Sequence, residues 1–246
     1  MQSPMDISSQ QKKRFVKKTF SGISANYDLV NSITSFFIDH YWRAKAIRAL
    51  DARPGDLVLD LCSGTMPLAK VLLRRVKVRI VCLDISQQML VKGIISNGSL
   101  RPFLFPICGD AENLPFPDHT FDAAMVAFGI RNLSDLNAGL TELCRVIKPG
   151  GTAVILEFSR PQVPVFSQIY RLYLKNILIP LGATLTRDRQ AYEYLVSSIY
   201  EFYAPSRVKE FLYLAGFTSV SQAPLTAGCV SLYTAHKKDA FYRSRK

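Results

Sequence analysis

The stretch Asp56-Leu57-Val58-Leu59-Asp60-Leu61-Cys62-Ser63-Gly64-Thr65 decides the fold. Residues 57–61 form a short apolar run, which is typical of a central parallel strand buried on both faces. Pro67 then suits the first turn of a helix, because its missing N–H group has no intrahelical partner to lose there. The pattern predicts a strand, a tight turn and a helix, with a ligand site at the carboxyl end of the strand.

The following residues alternate between strand and helix patterns. Apolar runs predict strands at residues 78–84, 103–108, 121–128 and 152–158. Helices are predicted at 87–95, after a Ser86 cap, and from Ser134 to Val146, with a turn at 148–151 before the last of these strands. This alternation predicts an α/β fold with a doubly wound, mostly parallel sheet. Residues 218–223 and 229–236 predict an antiparallel hairpin at one sheet edge.

The length of 246 residues suits a single domain with a large core. Residues 1–50 form a helical N-terminal segment, whose helix pattern starts near residue 10 and is interrupted at 21–31. Residues 51–160 form the ligand-binding core, and 161–205 are rich in tyrosine and predict a helical cap inserted into the sheet topology. A helix and the hairpin complete the domain in residues 206–246.

The chain is strongly basic, with a formal net charge of +12 and a pI near 9.6. This charge predicts an anionic partner, either a membrane surface or a nucleic acid. No apolar run reaches the roughly 20 residues that span a bilayer, and the N-terminal residues, which include Asp6 and several polar residues, lack the apolar run of a signal peptide. The five cysteines lack the spacing of a metal site or a disulfide framework, so no metal is expected. We therefore expect a cytoplasmic protein that contacts the inner membrane face peripherally.

Two ligand classes fit an acidic residue at the end of the second strand, where Asp84 stands. One is a dinucleotide such as NAD, and the other is S-adenosylmethionine. A dinucleotide needs a glycine-rich turn so that the backbone can approach the pyrophosphate, and residues 62–67 contain only Gly64. S-adenosylmethionine has no phosphate, so a single tight turn at Gly64 beside its amino-acid tail suffices. The sequence favours S-adenosylmethionine.

Three aspartates, Asp60, Asp84 and Asp110, come near the ends of successive strands. In a parallel sheet these ends lie along one crevice, so we expect the three carboxylates to line it together. Asp60 or its loop is placed to face the cationic amino group, Asp84 the ribose and Asp110 the adenine amine. Carboxylates also suit a sulfonium ligand, because opposite charges attract in a partly dry site.

Several motifs, taken together, resemble the UbiE-type C-methyltransferases of ubiquinone and menaquinone biosynthesis, within the class I methyltransferases. The resemblance covers almost the whole chain and is most specific at Phe128-Gly129-Ile130-Arg131-Asn132 and Leu156-Glu157-Phe158-Ser159. It includes Tyr27-Asp28, Trp42, the segments 114–118 and 148–151, and Leu225-Thr226-Ala227-Gly228. The family methylates one ring carbon of a polyprenylated quinol.

The resemblance implies a seven-stranded sheet, S-adenosylmethionine as cofactor and a prenylated quinol as substrate. It implies that Thr65, Asp84 and the pair Asp110-Ala111 contact the cofactor. Tyr27, Arg131 and Asn132 are expected to face the quinol ring, and the aromatic residues between 166 and 203 to cover the prenyl tail. Arg131 and Asn132 would stabilise the developing phenolate, while another group or a water takes the proton, because guanidinium stays protonated.

The sequence departs from the family at Met66-Pro67, where Gly-Asp is usual, and at Ala127, where Ser is frequent. A side chain at Met66 is expected either to crowd the methionine tail or to change the turn. Three alternatives therefore stay open: a methyltransferase for another small molecule, a non-catalytic homologue with weakened cofactor binding, and a nucleic-acid methyltransferase or binder. The aromatic-rich cap and the lack of a recognition motif argue against the last. Between the two quinol substrates we favour demethylmenaquinol, and the sequence is compatible with an oligomer.

Overall fold

The computed structural model describes residues 8–23 and 27–239. Seven strands form one sheet, with β7 antiparallel to both of its neighbours and the first five strands parallel to one another. Their spatial order is β3-β2-β1-β4-β5-β7-β6. The strands are β1 (Leu57–Leu61), β2 (Arg79–Asp84), β3 (Leu104–Cys108), β4 (Phe121–Ala127), β5 (Ile147–Phe158), β6 (Phe217–Leu225) and β7 (Val230–Lys237). This confirms the predicted sheet and its C-terminal hairpin.

The described helices cover both faces of the sheet and its carboxyl edge. They are α1 (Ser9–Ile23), α2 (Tyr27–Thr34), α3 (Ile38–Leu50), α4 (Pro67–Leu73), α5 (Gln87–Ser96), α6 (Leu136–Val146), α7 (Pro164–Tyr173), α8 (Ile179–Thr186), α9 (Arg189–Glu201) and α10 (Pro205–Leu214).

Strand β1 lies inside the sheet and is apolar on both faces because helices cover both. Val58 pairs with Ile80 of β2 and with Ala123 of β4. Val58 and Leu59 are both fully buried, and as neighbours on a strand they point to opposite faces. Val58 packs in a cluster with residues of α3, α4 and α5, whereas Leu59 packs with residues of α6 and α10. The predicted buried parallel strand is confirmed.

Three predicted boundaries are wrong for local reasons. Residues 148–151 continue β5 as a bulge, in which Gly150 has φ +79° and four residues stand opposite Asp122 alone. Helix α6 starts after Asp135, whose carboxylate caps the N–H of Ala138 at 3.0 Å, and not at Ser134. Helix α2 occupies part of the predicted interruption, and a second break falls at residues 35–37.

Between β5 and α10 the chain is helical, as predicted. Helix α7 continues through a π-helical turn, Leu174–Leu178, into α8, and α9 then returns towards α10. Tyr170, Leu174 and Tyr192 pack with Val30 of α2 in a third apolar cluster, at the carboxyl edge of the sheet. Within the described residues, none of the helices is both long and apolar enough to traverse a lipid bilayer.

Candidate active site

Asp60, Asp84 and Asp110 line one cavity at the carboxyl edge of the sheet, which we call the edge cavity. Asp60 is in β1, Asp84 ends β2 and Asp110 follows β3, so the parallel strands bring the three together. Gly64 and Ala111 also line this cavity. Its other lining residues include Lys13, Val16, Phe20, Arg43, Ser63, Pro67, Glu112, Phe128 and Asn132.

The Asp84 carboxylate fixes the turn after β1. Its Oδ2 accepts a hydrogen bond from the N–H of Gly64 at 2.9 Å, and its Oδ1 accepts one from the N–H of Ser86 at 2.9 Å. Gly64 has φ +53°, and a Cβ atom there would meet nothing within 4 Å, so the turn leaves open space at this point. Burial raises the pKa of Asp84, and the N–H groups of Ser86 and Gly64 oppose that rise.

Two buried polar atoms of the edge cavity have no hydrogen-bond partner among the described residues: Asp60 Oδ2 and Ser63 Oγ. Such orphaned groups are costly unless a ligand or water satisfies them. Burial raises the pKa of Asp60 to about 8, although the Arg43 guanidinium and the Ala69 N–H oppose that rise. The cavity therefore presents an acceptor suited to a ligand cation and a hydroxyl suited to a carboxylate. Sequence reasoning missed Ser63, whose signal is only its place in the turn.

Helix α1 closes the edge cavity from outside. Lys13 Nζ lies 2.7 Å from Asp110 Oδ2 and 2.7 Å from Glu112 Oε2. Burial lowers the pKa of Lys13, but the two carboxylates together outweigh that effect and raise it. The edge cavity measures about 90 Å³, well below the usual size of small-molecule sites.

A second, larger cavity of about 330 Å³ lies beneath α7 and α9, and we call it the aromatic cavity. Its size falls within the range of small-molecule sites. Trp42 and Thr226, from two of the family-like motifs, join across it through a hydrogen bond of 2.8 Å from Nε1 to Oγ1. Its aromatic lining residues are Phe20, Phe36, Trp42, Phe128, Phe158, Phe166, Tyr170, Tyr173, Tyr192 and Tyr194.

The two cavities meet at Phe20, Arg43 and Phe128, which line both. Phe128 follows β4 with φ +59° and stacks on Phe158, with ring centroids 4.4 Å apart. The Arg43 guanidinium lies 5.5 Å from the centre of the Phe128 ring. The edge cavity and the aromatic cavity are therefore neighbours that share part of their walls.

Arg43 is a buried cation, and some hydrogen-bond donors of its guanidinium group have no acceptor among the described residues. Only 6% of it is exposed, and its Nε lies 3.5 Å from Asp39 Oδ2. Among the described residues, no group accepts a hydrogen bond from its two Nη atoms. Asp39, also buried, lines the aromatic cavity, and its Oδ1 accepts a hydrogen bond from Ser35 Oγ at 3.1 Å. Neither residue was singled out from the sequence, because a lone acid and base on a helix usually form a surface pair.

Arg131 lies in the wall of the aromatic cavity, but its donors are engaged. Its Nη1 donates to Glu157 Oε1 at 2.7 Å and to the Phe128 carbonyl at 2.5 Å, and its Nε donates to Ser198 Oγ at 3.3 Å. Glu157 is fully buried and also accepts the N–H of Arg131. Arg131 thus fastens the junction residue Phe128 to β5 and to α9.

The other predicted site residues are distributed differently. Asn132 lines the edge cavity instead of the aromatic cavity, and its Oδ1 accepts a hydrogen bond from Tyr194 at 3.1 Å. Thr65 is buried beside that cavity without lining it, and its carbonyl accepts a hydrogen bond from Asn97. Tyr27 begins α2, and its side chain lies outside the described residues.

Met66 is fully buried and does not line the edge cavity. Its side chain packs in the cluster with Trp42 and Leu68, and it approaches Gly93, where an added Cβ would lie 3.0 Å from Met66 Cγ. The Met66 side chain was expected either to crowd the methionine tail of the ligand or to change the turn. Because this side chain lies in the core, it does not crowd the edge cavity. Met66 adopts the left-handed backbone conformation, with φ 65°, so a change of the turn stays a prediction.

We expect Met66→Gly to lower the free energy of unfolding by about 1–3 kcal/mol. The change releases left-handed strain of about 1–2 kcal/mol, but it removes a fully buried methionine side chain, which costs about 2–5 kcal/mol. Urea unfolding measures the difference. A Met66→Gly variant more stable than the parent chain would show that backbone strain outweighs packing.

The similarity to known proteins extends over nearly the full chain. The model of the ubiE/COQ5 methyltransferase family matches residues 5–237. The chain is similar to demethylmenaquinone methyltransferase of Desulfitobacterium hafniense (strain Y51), being 36% identical over 237 residues, which are 95% of this chain and 94% of that protein. It is also 36% identical over 237 residues to ubiquinone/menaquinone biosynthesis C-methyltransferase UbiE of Francisella philomiragia, with 94% of each chain covered.

Solved structures share the fold at low identity. A Haloferax volcanii methyltransferase structure, solved with the activator Trm112, has a TM-score of 0.65 at 17% identity and covers 89% of this chain and 97% of its own. A Thermotoga maritima SAM-dependent methyltransferase has a TM-score of 0.63 at 18% identity and covers 90% and 99%. These similarities establish the class I methyltransferase fold, and the sequence comparisons establish the narrower group: the chain belongs to the ubiE/COQ5 methyltransferase family.

Proposed function

We propose that this protein transfers a methyl group from S-adenosylmethionine to a ring carbon of a polyprenylated quinol, converting demethylmenaquinol to menaquinol. The observation that carries the proposal is the junction, at which the edge cavity, with two unpaired polar atoms, shares three lining residues with the large aromatic cavity. Relatives with 36% identity are named for this reaction or for its ubiquinone counterpart. The ubiquinone precursor, with similar ring chemistry, is a second candidate substrate.

S-adenosylmethionine, when bound, supplies an electrophilic methyl group on a sulfonium centre. We assign its amino-acid part to Asp60, Ser63 and the Gly64 turn, because the two unpaired oxygens lie there. Asp84 would hold the ribose and Asp110 with Ala111 the adenine, in line with their order along the edge. Thr65 would support this turn from within the core. A fold neighbour from Haemonchus contortus, a phosphoethanolamine N-methyltransferase, was solved with S-adenosyl-L-methionine.

We assign activation of the quinol to Asp39 and Arg43. Carbon methylation needs an electron-rich ring, so a ring hydroxyl must lose its proton before the ring carbon bonds the methyl group. As that bond forms, the sulfur–methyl bond of the donor would break and leave a neutral thioether. The ring carbon then gives its own proton to water, and the ring oxygen is protonated again to give the quinol. The Asp39 carboxylate, in the aromatic cavity, accepts the hydroxyl proton, and the free Nη atoms of Arg43 stabilise the phenolate oxygen. Arg43 stands at the junction, so the activated ring is held next to the edge cavity.

The three residues expected at the quinol ring receive supporting roles in this proposal. Arg131 positions Phe128 through its bond to the Phe128 carbonyl. Asn132 bridges the edge cavity to Tyr194, a residue of the aromatic cavity. Tyr27 is retained as a candidate for contact with the ring. The tyrosines of α7 and α9 would enclose the start of the prenyl tail.

Cofactor binding is expected to release up to one proton below pH 8. Burial raises the pKa of Asp60 to about 8, so the free protein holds this carboxyl protonated at neutral pH. A cationic ligand lowers that pKa again, so the proton leaves on binding. Titration calorimetry at pH 7 in buffers of different ionisation enthalpy measures the released proton. Asp60→Asn should abolish the release, and an equal release from that variant would contradict the assignment.

The same shift predicts the pH dependence of the free protein's stability. The folded chain holds the Asp60 proton up to about pH 8, whereas the unfolded chain loses it near 3.8. The folded state therefore binds more protons between these values, and its stability falls as pH rises through that window. Asp60→Asn should flatten this part of the curve, measured by urea unfolding at pH 5 and pH 8.

The function is tested by incubating the purified protein with methyl-labelled S-adenosylmethionine and a short-chain demethylmenaquinol. We expect a product with the labelled methyl on a ring carbon, which NMR distinguishes from an O-methyl ether. Methylation of other small molecules only would favour a different substrate. Absence of cofactor binding in calorimetry would favour a non-catalytic homologue. For its place in the cell, we propose the cytoplasmic face of the membrane that holds the quinol.

A further inference from the structure

An apolar surface surrounds the mouth of the aromatic cavity. Phe36 and Phe37, in the turn between α2 and α3, are 67% and 59% exposed. Val165, Ile169 and Leu172 of α7 are each more than half exposed, and their spacing of four and three residues places them on one helix face. We call these five residues the apolar face. Exposed apolar side chains grouped in this way mark an interaction site.

The turn and the helix form one surface. The Phe36 ring lies 5.8 Å from the ring of Tyr173 at the end of α7, and the Tyr173 hydroxyl donates a hydrogen bond to the carbonyl of Thr34. Phe36 and Phe37 both adopt left-handed backbone conformations, with φ 52° and 61°. Two consecutive bulky residues in this conformation are strained, so the surrounding contacts must hold the turn in which both rings are exposed.

The apolar face is continuous with the aromatic cavity. Phe36 and Ile169 belong to the face and also line the cavity. A long apolar chain attached to a ring in the cavity can therefore leave between these two side chains without crossing polar surface. The occupant of the face must be compatible with such a chain.

The charges beside the face select an anionic occupant. Residues 159–187 contain four basic residues, Arg160, Arg171, Lys175 and Arg187, and no aspartate or glutamate. Arg171 and Lys175 are exposed and stand one turn apart, next to Leu172. A helix with an apolar face and basic flanks is typical of one that lies in the plane of a lipid interface.

We propose that the apolar face docks this protein on an anionic lipid bilayer, with Phe36 and Phe37 inserted among the lipids, so that the substrate enters the aromatic cavity from the membrane. The proposal rests on the proposed function for the nature of the substrate, but the docking itself does not depend on catalysis. The strained turn presents its two rings to the bilayer, and Arg171 of α7 and Lys175 of the following π-helical turn contact the lipid phosphates.

Sedimentation with vesicles tests the docking. The variant Phe37→Asn/Leu172→Gln removes two residues of the face that do not line the cavity, and asparagine suits the left-handed conformation at 37. We expect the parent chain to bind phosphatidylglycerol vesicles more tightly than phosphatidylcholine vesicles, and the variant to bind them at least about tenfold more weakly. The matched control is Ile95→Gln/Leu214→Gln, which alters residues 71% and 70% exposed on α5 and α10 and should bind as the parent does.

The two activities separate this inference from the proposed function. The face variant should keep its turnover of a water-soluble short-chain quinol and lose at least about tenfold with a long-chain quinol in vesicles. Vesicle binding by the face variant equal to that of the parent would overturn the docking proposal. So would a parent oligomer that dissociates in the face variant and not in the control variant, because the face would then bind a second copy of this chain. Failure of both quinols with the parent chain would contradict the proposed function while leaving the vesicle result intact.

Discussion

Glu157→Ala is expected to lower the free energy of unfolding by about 3–5 kcal/mol, because it leaves the Arg131 guanidinium buried without its counter-charge. Glu157 is fully buried, and its Oε1 lies 2.7 Å from Arg131 Nη1. Its oxygens also accept the N–H groups of Arg131 and Phe158 at 3.1 and 2.8 Å. Since a domain is stable by about 5–15 kcal/mol, this single change removes a large part of the stability. Urea or thermal unfolding measures it.

A double variant keeps this prediction testable if the single variant does not fold. Arg131→Met/Glu157→Ala removes both charges together, so it should lose less stability than the two single variants added together. Recovery should be partial, because two backbone N–H groups lose their acceptor. Additive losses would show that the two side chains do not stabilise each other.

Arg43→Met is expected to reduce turnover of a short-chain quinol by about 10²–10³-fold, because a preorganised donor to the developing phenolate is lost. Arg43 has unpaired Nη atoms at the junction, whereas the Nη1 and Nε atoms of Arg131 are bonded to protein. The affinity for S-adenosylmethionine should change only a few-fold. Rapid-quench measurement of one turnover isolates the chemical step from product release.

The control for this prediction lies on the same helix. Arg48→Met alters an exposed arginine of α3 and should leave turnover unchanged. Asp39→Asn, which keeps the shape of the side chain and removes the proton acceptor, should reduce turnover and move its dependence on pH to more alkaline values. If Arg43→Met had normal turnover and Arg131→Met, at the same folded fraction, lost most of it, the stabilisation of the phenolate would have to be assigned to Arg131.

The alignment of Asp60, Asp84 and Asp110 was predictable because parallel strands end at one edge and each strand has a clear apolar pattern. A single glycine in the turn was enough to favour one ligand class over another. These are local features, and local features can be read from neighbouring residues. The bulge in β5 was missed because its Gly150-Gly151 pair equally predicts a turn.

The junction was not predictable in the same way. Arg43 and Asp39 belong to α3, outside the strand and turn motifs that the sequence shows. Only tertiary packing brings Arg43 to both cavities and Asp39 to the aromatic cavity. Arg131 and Asn132 are adjacent in sequence but line different cavities, because the short helical turn that carries them rotates successive side chains apart. Likewise, the burial of Met66 follows from α3 and α4 packing around it and not from its own turn.

A crystal structure with S-adenosylhomocysteine and a short-chain demethylmenaquinone measures most directly whether the two cavities act as one site. We expect the amino-acid part of the first ligand at Asp60 and Ser63, with its sulfur facing the quinone ring directly, beside the Phe128 side chain and not behind it. A ring oxygen should lie within hydrogen-bonding distance of Arg43 Nη. A quinone ring outside the aromatic cavity, or a sulfur atom separated from it by the Phe128 side chain, would contradict methyl transfer at this junction.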